Sequence, residues 1–262
     1  MRSRALRTVL ALAALGAASA LVLWPNWADP GGARPAAVEQ FAVPDDAPWS
    51  PPELAGDGWH ARSAKTPTLG FVSAQGGLWS TDVPPDAGGQ LRTVPGEEPA
   101  PDGDAARVAT VRVEVETGLG VDGGEFARQV MTTLNDPRGW GHDGSISFAR
   151  TEGDADVDVT LASPVTTDRL CHPVDTGGTV SCGRVGFAVL NAARWAGGAD
   201  PFLDAGGTVA EYRQYLVNHE VGHVIGRGHV RCPAPGAVAP VMLQQTLGLD
   251  GCRPNGWPAA GS

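Results

Sequence analysis

His219, Glu220, His223, Gly226 and His229 stand at the spacing H-E-x-x-H-x-x-G-x-x-H, and this stretch predicts a helix, its end and a cluster of imidazoles. Residues four apart on an α-helix lie one above the other, so His219 and His223 aim two ring nitrogens at one point. Gly226 tolerates positive φ, which lets the chain leave the helix and fold back, bringing His229 to the same point. Three imidazoles favour Zn2+ and leave a fourth coordination position open, the arrangement of a catalytic site rather than a closed structural one. Glu220, next along the helix, is placed to act as a general base toward water. The five fixed positions arise by chance in roughly one chain in a hundred thousand of this length and composition. The alternative is three histidines that happen to share a half-buried helix. Thr208 with Glu211 forms a capping-box pattern after Gly206 and Gly207, which predicts that the helix runs over 209–225.

These residues resemble the zinc-binding helix of the metzincin clan of metalloproteases, whose second hallmark is a methionine-containing turn beneath the metal. Met242, within Ala239 to Gln245 and thirteen residues after His229, matches that turn. The resemblance implies an apolar floor under the histidines that does not itself bind zinc; a methionine filling a core gap is the plain alternative. Some metzincins carry a tyrosine two residues after that methionine, where this chain has Gln244. An amide NH2 there is a candidate donor to a developing oxyanion. Val230 follows the third histidine, where several families carry a polar or acidic residue, so the chain fits none of them in detail.

Tyr212 to Pro258, with Asp136 to Trp140 upstream, further resembles an uncharacterised group of actinobacterial secreted or membrane-anchored metzincin-like proteins. The resemblance implies an α+β catalytic domain: a mixed twisted sheet, two main helices and a C-terminal Met-turn subdomain. It also implies an extracellular zinc-dependent peptidase, an endopeptidase because the clan's cleft is open at both ends. Two rival readings are a zinc amidase acting on cell-wall peptide and a non-catalytic zinc-containing surface module. The intact Glu220 argues against the second.

Arg2, Arg4 and Arg7 precede an apolar run from Thr8 to Trp24, the layout of a signal sequence. Residues 1–24 are read either as a cleaved signal peptide or as a retained signal anchor, because the uncharged stretch through Ala28 approaches the ~20 residues that span a bilayer. The domain then lies on the extracellular side, anchored or secreted. Residues 25–67 are rich in Pro, Ala and Gly and read as a linker, 68–104 as a poorly defined extension, and 105–262 as the catalytic domain. A net charge of −10 excludes nucleic acid as a natural partner. The expected partner is a peptide or protein substrate, met by a monomer.

All four cysteines fall in the last of these regions, which fits disulfides in an oxidising exterior. Of three pairings the favoured one joins Cys171 to Cys182 and Cys232 to Cys252, the second closing a loop around Met242. Arg107 to Glu116 alternates as a half-buried strand, and Phe126, Ala127, Val130, Met131 and Leu134 recur at helical spacing over 124–134. Ser145 to Arg150, Ala155 to Ala162 and Gly183 to Asn191 read as further strands. Gly186 to Asn191 is either an edge strand able to pair with an extended substrate or a plain buried strand. His60, His142 and His172 read as loop histidines, and Asp154, Asp156 and Asp158 as a solvated strand face.

Overall fold

The computed structural model describes residues 69–260. They belong to one compact unit, Ala61–Ser262. The signal segment, the linker and His60 lie outside the described residues. Among the described residues no helix is long and apolar enough to cross a membrane.

Element order is α1 (Leu69–Ala74), β1 (Leu91–Thr93), β2 (Val108–Glu116), α2 (Gly123–Leu134), β3 (Ser147–Arg150), β4 (Val157–Ala162), α3 (Pro164–Cys171), β5 (Cys182–Arg184), β6 (Phe187–Asn191), α4 (Ala192–Gly197), α5 (Asp200–Asp204) and α6 (Val209–Val224). The class is α+β with a mixed sheet. Its order is β1-β2-β4-β6-β5, with β3 paired to β2 off that path. β2, β3, β4 and β6 run parallel, while β1 and β5 pair antiparallel.

β2 alternates as its sequence predicts, turning Val111, Val113 and Val115 into the core. α2 opens on Asp122, whose carboxylate accepts the Glu125 N–H, and buries the predicted stripe from Phe126 to Leu134. It packs beside α6 against the sheet, and Phe126 meets Trp195 edge to face at 5.1 Å. Asp156 pairs with Arg107 and Asp158 with Arg112, so this acidic row has basic neighbours on strand β2 and just before it.

Two boundaries differ from the sequence reading. Residues expected as a poorly defined extension join the same sheet: β1 pairs with the end of β2, and Leu78 and Val94 are core residues. Buried Arg150 fastens the segment by donating to the carbonyls of Val94 and Pro95. The stretch 183–191 is also not one strand. Gly186, at φ 89°, turns the chain between β5 and β6, so β6 is interior and the edge belongs to Cys182–Arg184.

Both disulfides pair as expected, Cys171 with Cys182 and Cys232 with Cys252. The first closes the loop 172–181 between α3 and the edge strand. The second encloses the segment bearing Met242.

Candidate metal centre

α6 starts where its capping box places it, the Thr208 hydroxyl accepting the Glu211 N–H and the Glu211 carboxylate accepting the Thr208 N–H. It ends as Gly226 predicts. At φ 89°, Gly226 donates to the His223 carbonyl at 3.0 Å and Arg227 to the Gly222 carbonyl at 2.8 Å, the paired bonds of a Schellman ending. The same turn brings the Arg227 carbonyl 2.8 Å from His223 Nδ1 and sends the chain back so that His229 reaches the helix.

The ligand nitrogens of His219, His223 and His229 lie within 4.8 Å of one another. His219 Nδ1 is 2.9 Å from the Val241 carbonyl. Carbonyl oxygens only accept, so Nδ1 carries the proton on both His219 and His223, and each neutral ring presents an Nε2 lone pair. His223 Nε2 faces His229 Nε2 at 3.0 Å. Lone pairs gathered in this way, with the opposite ring nitrogens tied to backbone oxygens, fit a divalent cation of the zinc class. Burial pushes His219 down to about 3 and lowers His223 and His229 from the usual 6.5. All three rings are therefore held neutral, the form that ligates.

Glu220 is 5% exposed and lines the cleft together with the three histidines. Its carboxylate has no hydrogen-bond partner among the described residues, and burial pushes it up to about 8. Its backbone is pressed against the edge strand. A β-carbon on Gly183 would overlap the Glu220 carbonyl oxygen, so glycine lets β5 lie directly on α6.

The support beneath the histidines comes from residues far apart in sequence. A β-carbon on Gly222 would stand 2.5 Å from Met242 Sδ and 2.8 Å from Trp140 Cζ2. Met242 and the Trp140 indole thus both pack against α6 at Gly222, which lies between His219 and His223 in sequence. Trp140 Nε1 donates to the Asn218 carbonyl at 3.0 Å. Tyr215, one turn before His219, sets its ring 5.1 Å from the imidazole. Its hydroxyl donates to the Leu243 carbonyl and accepts from the Gln245 N–H. Gln245 and Asn255 exchange two bonds, Asn255 also holds the carbonyls of Ala239 and Trp257, and Asn218 holds that of Gly256.

Gln244, by contrast, is exposed and borders the cleft. His142 and His172 are not part of the cluster. Sequence reasoning missed Tyr215, Trp140 and Gly183. Tyr215 carried a signal, four residues before His219 on the same helix face; the other two depend on tertiary approach.

The cleft encloses about 440 Å³. It is lined by residues of the disulfide-closed loop and edge strand, from Val174 to Gly183, and by Gln244, Thr246 and Leu247. Residues 79–255 match a family described as a protein of unknown function, DUF3152. The match spans more than half of the chain, which places it in that family. No curated protein and no solved structure matches the chain.

Proposed function

We propose that this chain, which belongs to the DUF3152 family, is an extracellular zinc-dependent peptidase with a metzincin-like catalytic domain, cutting within peptide chains. One observation carries the reading: a carboxylate without a protein partner, Glu220, lines an open cleft beside three imidazoles whose lone pairs converge.

His219, His223 and His229 would hold the ion. When bound, zinc supplies Lewis acidity toward a carbonyl oxygen and toward water. Glu220 takes a proton from the attacking water and returns it to the leaving amine, so the carboxylate begins and ends the cycle ionised. A nearby cation stabilises that ionised form against burial. The Val241 and Arg227 carbonyls hold the rings of His219 and His223 in orientation. Gln244 stands at the cleft as a candidate donor to the oxyanion. β5, an edge strand beside the cleft, offers unpaired backbone groups to an extended peptide. The two disulfides support an extracellular setting.

The test is digestion of an unbiased peptide library by the zinc-loaded full chain beside a Glu220→Ala control. Cuts made by the native chain and absent from the control support the reading. A folded, zinc-loaded protein that makes none refutes it.

A further inference from the structure

Two arginines are buried among the described residues, and they differ in what balances them. Arg150, 6% exposed, has the Glu98 carboxylate 3.2 Å from its Nη1. Arg213, 5% exposed, rests on carbonyls alone: its Nε donates to that of Trp195 at 2.7 Å and its Nη1 to that of Ala74 at 2.8 Å. The buried Nη2 has no hydrogen-bond partner among the described residues. Burial lowers this guanidinium to about 10, with no carboxylate acting in the other direction. Carbonyl dipoles solvate a cation without cancelling its charge, and an uncompensated charge in a protein interior is costly.

Arg213 borders a hollow of about 250 Å³ between α1, α2, α4 and α6, which shares no lining residue with the cleft at the histidines. Among the described residues its lining includes no aspartate or glutamate, while Arg128, Thr132 and Gln214 add a guanidinium, a hydroxyl and an amide. The nearby Glu125 carboxylate takes hydrogen bonds from Arg128, Gln129 and Ser73. Glu125 and Arg128 therefore match each other, and the charge left over belongs to Arg213. In a chain of net charge −10, a hollow with an excess of positive charge draws anions.

Independently of the peptidase reading, we infer that this hollow binds one small oxyanion, a carboxylate or a phosphate, whose charge balances Arg213. The field of the guanidinium acts on the anion through a low-dielectric wall, and Thr132 and Gln214 border the space with groups able to donate to its oxygens.

The experiment is calorimetric titration of the metal-free full chain with inorganic phosphate and, in a second arm, with acetate, at constant ionic strength. One anion is expected to bind per chain, and the tighter arm identifies the class. Gln214→Glu keeps the shape of its side chain and places a carboxylate at the hollow, so it should weaken binding at least about tenfold. Arg213→Met should abolish binding in folded protein. His229→Ala, which removes an exposed imidazole of the other site, should leave it unchanged. No binding in either arm overturns the proposal. So does binding that Gln214→Glu leaves intact, or binding that a folded His229→Ala protein has lost.

Discussion

The backbone carbonyl of Val241 accepts the Nδ1 proton of His219 at 2.9 Å. A residue 22 positions downstream thus fixes both the tautomer and the ring plane of the first candidate ligand. The loop that supplies this carbonyl is held from behind by Tyr215, Gln245 and Asn255.

If the three imidazoles hold zinc, the full chain binds one equivalent and is stabilised by it. At a free ion concentration a hundred times Kd the gain is about 2.7 kcal/mol. His219→Ala abolishes stoichiometric binding. Metal analysis after dialysis, with thermal unfolding with and without chelator, checks both statements.

Glu220→Gln keeps the shape of the side chain and removes the base. Zinc content is expected to stay at one equivalent while kcat falls by about 10²–10⁴, the usual range for losing a positioned acid–base group. Retained turnover in a metal-loaded Glu220→Gln protein would exclude Glu220 as the base.

Gly183→Ala should be severe for its size. The new methyl overlaps backbone rather than a flexible side chain, so β5 must lift from α6. Overpacking of this kind costs about 1–3 kcal/mol. Denaturant unfolding reads the loss, and peptidase activity is expected to fall further than stability because the cleft wall moves.

The Cys232–Cys252 bridge joins residues 20 apart in sequence, a loop whose closure stabilises by about 3 kcal/mol in the chain-entropy account. A double Cys→Ser variant should lose that much in unfolding experiments. It should also bind zinc more weakly, because the enclosed loop carries Val241 and Met242.

Acid should weaken the metal-free protein through its histidines. His219 is held at about 3 against an ordinary 6.5, so the unfolded chain takes up its proton first as pH falls. The stabilising contribution is fully present above about pH 6.5 and is lost progressively as pH drops toward 3. Native protein is expected to lose Tm more steeply over that window than His219→Gln, both measured without metal.

The part of the site written in one short run of sequence was legible. Capping residues, i to i+4 spacing and a helix-ending glycine are local rules, and Thr208, His219, His223 and Gly226 obey them. The stripe on α2 was legible for the same reason, because period alone identifies a buried helix face. The break between β5 and β6 was missed because Gly186 alone marks the turn between Arg184 and Phe187, and the sequence left open whether 186–191 is an edge or a buried strand. β1 has three residues, too few to show any period. Trp140 and Gly183 act through approach to α6 across long stretches of chain, and no local pattern announces such an approach. The sequence of Asp136 to Trp140 drew attention, but its place against Gly222 required coordinates.

The groups that steady the three imidazoles include Val241, Met242, Gln245 and Asn255, all later in the chain than the histidines themselves. A polypeptide made from its N-terminus therefore completes its three imidazoles before the carbonyl and thioether that hold them. The arrangement that could capture an ion is thus tied to the arrival of the final turns, and a chain that stops short of them has the histidines without their support.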